Sequence, residues 1–246
     1  CEGLVLVQLG LLHAAAGESA EARVCFERAI ELQHAAGQHR LEAAARGNLA
    51  NQITNEGDLD AAAGMFAEVI AVLRACGDRR TEARTLCNLG ILQHQRGALD
   101  EAGAHYETAL ALQSELGDRI GEGIMFCNLG TLHDDQGRPD AARACYEAAL
   151  AIHRDCGDRP SEAVTLGNLV SHCVERGRMD EALAFQQLTL DIEREATGGR
   201  HVGRAWARLG WLQYLQGQLD LAEASLRAAI ESYRKTSDPR AEGTTH

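Results

Sequence analysis

Glycine recurs at a fixed step of 40 residues in this chain of 246 residues, at Gly17, Gly57, Gly97, Gly137, Gly177 and Gly217. Three other residue types keep the same step. They are Leu9, Leu49, Leu89, Leu129, Leu169 and Leu209; Ala22, Ala62, Ala102, Ala142, Ala182 and Ala222; and Asp60, Asp100, Asp140, Asp180 and Asp220. Six units follow one another without an insertion or deletion. Such a period indicates a repeat architecture, in which each unit buries its apolar face only against its neighbours.

Each unit is predicted to contain two helices. In the third unit they cover about residues 80–96 and 100–116, where apolar residues recur at helical spacing. Gly97 lies between them, where a helix end favours the left-handed conformation that glycine tolerates. Acidic residues and Pro139 are placed to begin second helices. Aspartate follows Gly77, Gly117 and Gly157, and we expect these aspartates to cap the first helix of the next unit.

Composition and charge exclude several classes of protein. Three prolines and 4% aromatic residues favour helix over sheet, and no apolar run approaches the length of a membrane span. A net charge of −12 argues against a general binder of nucleic acid or anionic membranes. Only Lys235 among the 24 basic residues is lysine, which suggests a GC-rich bacterial source. The eight cysteines form no Cys-x-x-Cys pair, so we expect small buried thiols in a reducing cytoplasm.

The pattern resembles the tetratricopeptide repeat (TPR). The third unit carries the residues Leu86, Leu89-Gly90, Ala102, Tyr106 and Ala109 at that family's spacing. The resemblance implies an all-α, right-handed α-solenoid of about six helix-turn-helix units, whose first helices line a concave groove that binds proteins or peptides. The longer unit of 40 residues is similar to repeats of kinesin light chain, of the G-protein-signalling modulator adaptors and of bacterial TPR regulators, kinases and NTPases.

Five positions depart from the family pattern. Gln186 and Leu226 replace the aromatic residue, Val170 replaces the small residue after the repeated leucine, and Val69 and Thr189 replace alanine. We expect local packing, rather than the fold, to differ at these positions.

The domain organisation is expected to be a single TPR domain over residues 1–246, part of a longer protein. Its units are predicted at about residues 1–36, 37–76, 77–116, 117–156, 157–196 and 197–236. Residues 237–246 are predicted to begin a truncated further unit.

Asparagine precedes the repeated leucine in four consecutive units, at Asn48, Asn88, Asn128 and Asn168, and we call this set the Asn ladder. One interpretation is hydrogen bonding between repeats. The other is contact with the main chain of an extended peptide, because a carboxamide both donates and accepts hydrogen bonds. The family resemblance places this position in the groove. The residues before the ladder are small, which fits either a low groove floor or simple helix packing: Gly47, Cys87, Cys127, Gly167 and Ala207.

Further candidate peptide-binding residues lie on the first helices. They are Arg84, His94, Thr131 and Ser171, together with Arg204, Arg208, Trp211 and Tyr214 in the sixth unit. The last four suit a ligand with acidic or aromatic groups, since arginine pairs with carboxylates. Alternatively, Trp211 and Tyr214 cover the position of a following repeat. The adjacent Asp134 and Asp135 are interpreted as a solvated wall of the groove.

The leading functional hypothesis is a non-enzymatic module that binds a partner protein or another domain of its own chain. No nucleophile, base and orienting group converge in the sequence. There is also no phosphate-binding loop and no metal-ligand pair at helical spacing, so no catalytic residue, cofactor or metal is expected. Nucleic-acid and membrane partners are not expected. The alternatives are a domain that senses a small effector and a domain for self-assembly, within a bacterial regulator, kinase or NTPase.

Overall fold

The computed structural model describes residues 2–196 and 202–236, and in these ranges it contains twelve α-helices and no strand. The predicted start of a further unit at residues 237–246 lies outside the described residues. The helices are α1 Glu2–Ala16, α2 Ser19–Ala35, α3 His39–Glu56, α4 Leu59–Ala75, α5 Arg79–Gln95, α6 Leu99–Glu115, α7 Arg119–Asp135, α8 Pro139–Cys156, α9 Arg159–Glu175, α10 Met179–Ala196, α11 Val202–Leu215 and α12 Leu219–Thr236.

The chain divides into two compact units, Cys1–Leu132 and His133–His246. In the first unit α1 to α6 pack in order, each against the next, and α3 also contacts α1 and α5. In the second unit α8 to α12 pack in the same sequential manner. This pattern, helix against next helix, is that of an α-solenoid, so the all-α fold class predicted from the period is confirmed.

The turns between helices depend on glycine in the left-handed conformation. Gly97 has φ of 77°, and its N–H donates to the carbonyl of His94 at 2.9 Å. The next N–H, of Ala98, donates to the carbonyl of Gln93 at 2.9 Å, so the last carbonyls of α5 are satisfied. The role predicted for Gly97 is confirmed, and nine further glycines in the described residues have positive φ.

Aspartate caps begin several first helices, as the sequence predicts. Asp78 accepts a hydrogen bond from the N–H of Thr81 at 3.2 Å, and Asp118 and Asp158 accept equivalent bonds from Gly121 and Ser161. Each bond satisfies one backbone donor that the first turn of a helix leaves unpaired. Asp58 caps α4 in the same way, through the N–H of Ala61 at 3.1 Å. Pro139 occupies the first turn of α8, as predicted.

The two helices of a pair approach closely where a glycine meets a large side chain. A Cβ atom on Gly90 would lie 2.5 Å from Cε1 of Tyr106, and the Tyr106 side chain is fully buried. Gly10 faces Phe26 in the same way. In α9 and α10 both members of the pair change, to Val170 and Gln186, and both remain buried. Val170 packs in a buried cluster with Cys173, Ala182 and Leu212.

A buried glutamate in the first helix of successive pairs ties one pair to the next. Glu82 in α5 accepts from Nε of Arg74 in α4 at 2.6 Å, and Glu162 in α9 accepts from Nε of Arg154 in α8 at 2.8 Å. Glu42 and Glu122 are buried at the same repeat position. The sequence analysis did not single out this series, although it keeps the repeat step of 40 residues.

Glycine substitutions test the close approach of paired helices. Gly90→Ala is expected to lower the free energy of unfolding by about 1–3 kcal/mol, because Tyr106 has no room to move. Gly64→Ala is the matched control, since an added Cβ there meets nothing within 4 Å. It is expected to raise stability by about 0.5–1 kcal/mol through helix propensity. Urea denaturation of both variants is the measurement, and equal effects would contradict the packing described.

The charge of Glu42 predicts how stability depends on pH. Burial works to raise the pKa of Glu42, but hydrogen bonds and charge from His34 and Arg46 outweigh burial, and the pKa lies below its ordinary value of 4.5. A carboxylate with a depressed pKa stabilises the fold above its unfolded pKa and loses this contribution as pH falls through the folded one. The stability difference between wild type and Glu42→Gln, measured by urea denaturation, should therefore shrink from pH 6 to pH 3. A difference in unfolding free energy that stays constant over this pH range would contradict the stabilising role of the Glu42 carboxylate.

Candidate functional site

The Asn ladder lies on the first helices. Asn48, Asn88, Asn128 and Asn168 belong to α3, α5, α7 and α9, and all four side chains are half-buried. In the first unit, Nδ2 of Asn128 donates to Sγ of Cys87, one repeat earlier, at 3.5 Å. Hydrogen bonding between repeats, one of the two interpretations of the ladder, therefore occurs at Asn128.

Arg208 occupies the ladder position in α11 and also reaches back by one repeat. Its Nη2 donates to the carbonyl of Gly167 at 3.0 Å and to Oγ of Ser171 at 2.8 Å, both in α9. Both acceptors are uncharged, and no ion pair forms at Arg208 within residues 2–196 and 202–236. Burial, together with the charge of Arg204, lowers the pKa of Arg208 from its ordinary value of 12.5. Arg208 thus carries a partly desolvated positive charge without a counter-charge.

A cavity of about 320 Å³ lies beside Arg208, between α9, α10 and α11 of the second unit. We call it the Arg208 cavity. It brings together four residues that the sequence analysis selected: Asn168, Ser171, Arg204 and Arg208. Its other lining residues are Ala163, Val164, Gly167, Gln186, Thr189, Glu193 and Ala205. Small residues on α9 and α11 leave the space open. The polar and charged groups that line it come from all three helices.

The remaining predicted residues lie elsewhere on the first helices. Trp211 and Tyr214 are 48% and 61% exposed on α11, but neither lines the Arg208 cavity. Arg84 is exposed on α5, and His94 and Thr131 are half-buried on α5 and α7. The hydroxyl of Thr131 donates to the carbonyl of Cys127 at 3.3 Å, in its own helix.

The interpretation of Asp134 as part of a solvated wall is wrong. Its side chain is only 11% exposed and lies in a polar network of the second unit. Its carboxylate accepts from Arg176 Nη2 at 2.8 Å and from the Tyr146 hydroxyl at 3.2 Å, and Nδ1 of the buried His172 lies 2.9 Å away. His172 lies in α9 and Arg176 directly follows that helix, and their spacing of four residues is the signal in the sequence that could have indicated this network. Asp135 remains exposed.

Cys87, whose sulfur accepts the hydrogen bond from Asn128, has a thiol that ionises poorly. Burial raises the pKa of the Cys87 thiol to about 11, and the hydrogen bond from Asn128 offsets only part of this effect. Cys127 is buried at the matching position, whereas Cys76 and Cys156 are exposed. The expectation of small buried thiols is therefore confirmed at Cys87 and Cys127 and is wrong at Cys76 and Cys156, which lie at the exposed ends of α4 and α8.

Two further classes of site were sought in the described part of the chain. Within it, no three His, Cys, Asp or Glu side chains are placed to hold a metal ion. None of the described helices is both long enough and apolar enough to span a membrane.

Helices that pair and stack at a fixed repeat define the class of helical-repeat proteins, whose exposed first helices are available for partners. A sequence profile described as tetratricopeptide repeat matches residues 41–112, 81–155 and 161–235, and a second profile of the same description matches residues 3–28. The chain belongs to the tetratricopeptide repeat family. It is a protein-protein interaction or scaffold module, and this fold is typically non-enzymatic.

Solved structures show the same fold. BtubC (BKLC) from P. vanneervenii superposes with a TM-score of 0.73 at 20% identity, over 98% of this chain and 93% of that one. A putative kinesin light chain from Podosopora anserina superposes with a TM-score of 0.64 at 16% identity, over 79% of this chain and 96% of that one. A signal transduction ATPase with a tetratricopeptide repeat sensor, from Pyrococcus horikoshii, gives 0.72 at 13% identity, over 94% of this chain but 36% of that one. No curated protein sequence matches the chain.

Alkylation tests the state of the buried cysteines. With a pKa of about 11, roughly one Cys87 thiol in a thousand is ionised at pH 8, and the thiolate is the reactive form. Iodoacetamide should therefore label the exposed Cys76 and Cys156 and spare Cys87 until denaturant is added. Peptide mapping by mass spectrometry reads the result. Labelling of Cys87 in the folded protein as fast as Cys76 would contradict its burial.

Proposed function

We propose that this chain binds an extended acidic segment of a partner protein, or of another domain of its own polypeptide, along the face that carries the Asn ladder. Binding takes place without turnover, in the cytoplasm. The observation that supports the proposal most is the state of Arg208. Its guanidinium is half-buried and donates only to neutral oxygens, beside a cavity that also contains Asn168 and Ser171.

The carboxamides of the ladder suit the main chain of an extended peptide. Each presents a donor and an acceptor and is indifferent to the side chains of its ligand. The present partner of Asn128 is a thiol sulfur, which accepts hydrogen bonds weakly. Exchanging that sulfur for a peptide carbonyl therefore loses little and gains a stronger bond.

The ladder alone is too weak to hold a partner. Hydrogen bonds contribute about 0.5–1.5 kcal/mol net each, so four carboxamides supply roughly 4 kcal/mol. Micromolar affinity requires about 8 kcal/mol. The remainder must come from side-chain contacts, and Arg204 and Arg208 offer the strongest, because a guanidinium binds a carboxylate through charge-assisted and often bidentate hydrogen bonds. The exposed rings of Trp211 and Tyr214 add apolar area on the same helix.

A labelled decapeptide of alternating Glu and Ala, followed by fluorescence anisotropy, tests the proposal. Arg208→Asn restores the residue found at Asn48, Asn88, Asn128 and Asn168, so the variant should fold normally. Loss of a charged hydrogen bond costs about 1.5–3 kcal/mol, and we expect affinity to fall roughly 10- to 100-fold. Asn168→Ala, which lies in the same unit as Arg208, should weaken binding several-fold at an unchanged melting temperature.

The basic counterpart, a decapeptide of alternating Lys and Ala, is the control ligand. Its weak attraction to the acidic chain should not depend on Arg208. If Arg208→Asn leaves the affinity for the acidic decapeptide unchanged, the proposed acidic anchor is wrong. If Asn168→Ala binds the acidic decapeptide as tightly as wild type, this asparagine of the ladder has no part in binding.

A further inference from the structure

The Arg208 cavity carries charges of both signs that do not neutralise one another. Arg204 and Arg208 project from α11, and Glu193 comes from α10. Among the described residues, none of these three side chains takes part in an ion pair. Arg204 is exposed, whereas Arg208 and Glu193 are half-buried, so the last two charges are only partly hydrated. An acidic segment would neutralise the two arginines but would leave Glu193 without a partner.

A buried acceptor in the same wall is also unsatisfied. Gln186 is 1% exposed, and its Nε2 donates to the carbonyl of Ala205 at 3.0 Å, whereas its Oε1 has no hydrogen-bond partner. Buried polar atoms are normally paired, so this orphaned acceptor on a residue that lines the cavity is an exception to the rule. Matching positions in α4, α6 and α8 hold the buried aromatic residues Phe66, Tyr106 and Tyr146, which present no such carbonyl acceptor.

The dimensions indicate a small ligand. A volume of about 320 Å³ is at the lower end of the roughly 300–1,000 Å³ that ligand pockets span. Gln186 and Glu193 are seven residues apart on α10, which corresponds to about 10 Å along the helix axis. The wall formed by α10 therefore offers acceptors for positive or N–H groups, and the wall formed by α11 offers cations.

We propose that the Arg208 cavity binds a small zwitterion, a free amino acid or a dipeptide, with its carboxylate on Arg204 and Arg208 and its ammonium group toward Glu193. This ligand would neutralise the charges of both signs in the wall of the cavity. The inference goes beyond the binding of an acidic segment and does not require the Asn ladder. It gives the second unit a site for a small effector. That effector carries a positive and a negative charge, whereas the side chain of an acidic segment carries only a negative one.

The chain itself supplies variants that remove each charge. Glu193→Gln introduces the residue found at the matching Gln33 and Gln113, and Arg208→Asn introduces the residue of the Asn ladder. Arg227→Gln is the matched control, because Arg227 pairs with Glu223 on α12 and does not line the cavity. Circular dichroism and the melting temperature of each variant establish that it folds before binding is measured.

Isothermal titration with four probes tests the proposal: alanine, alanyl-alanine, N-acetyl-alanyl-alanine and alanyl-alanine amide. We expect saturable binding of alanine or alanyl-alanine, and the tighter of the two identifies the ligand size. Removing either charge from the dipeptide should weaken binding at least tenfold. Glu193→Gln should weaken the free dipeptide at least tenfold and leave the N-acetylated dipeptide unaffected. Arg208→Asn should weaken binding of the free dipeptide at least tenfold and leave binding of alanyl-alanine amide unaffected. Arg227→Gln should not change the affinity for any of the probes.

Three results would overturn the proposal. They are the absence of saturable binding by alanine and alanyl-alanine at millimolar concentration, equal binding of the N-acetylated and free dipeptides, and binding that survives both Glu193→Gln and Arg208→Asn. Failure of the acidic decapeptide to bind would leave this inference standing, because the dipeptides are measured separately. Conversely, if the dipeptides do not bind, the proposed binding of an acidic segment is not contradicted.

Discussion

The contact on which the rest of the structure depends is the close approach of two helices over a missing side chain. At Gly90 the ring of Tyr106 fills the space that a Cβ atom would need, and a similar contact joins Gly10 to Phe26. A pair packed in this way still has apolar surface to bury, and it buries that surface against the next pair. The regular step of the sequence thus becomes a regular stack, and residues at one repeat position face equivalent neighbours.

Where that contact changes, the chain gains a site. Val170 and Gln186 replace the glycine and the aromatic residue in the fifth pair, and Thr189 replaces alanine one turn later. The exchange keeps the pair packed but leaves Gln186 Oε1 without a partner. Gln186 and Thr189 line the Arg208 cavity together with Gly167 and Ala205, next to two arginines and a glutamate. Two of the positions that depart from the family pattern therefore lie at a polar cavity of the second unit.

Local signals predicted most of the fold. Glycine at the turns, aspartate at the caps and apolar residues at helical spacing depend on neighbours a few residues away, and the structure confirms them at Gly97, Asp78 and Pro139. The interactions that the sequence analysis missed depend on partners in a neighbouring unit of the repeat. In sequence Glu82 resembles any acidic residue of a first helical turn, but in the structure it pairs with Arg74. Asp134 was expected to be solvated, but His172 and Arg176 cover it. The site shows the same division: Arg208 and Ser171 were selected, but Glu193 and the carbonyl of Gln186 were not, because they lie on a second helix.

A crystal structure of the protein with the acidic decapeptide tests the central claim most directly, namely that the first-helix face around Arg208 is the binding surface. We predict a peptide carboxylate within hydrogen-bonding distance of the Arg208 guanidinium, and a peptide main chain that runs past the side chain of Asn168 in the same unit. A decapeptide bound on the second helices, with the bonds from Arg208 to Gly167 and Ser171 unchanged and no peptide atom near them, would contradict the account.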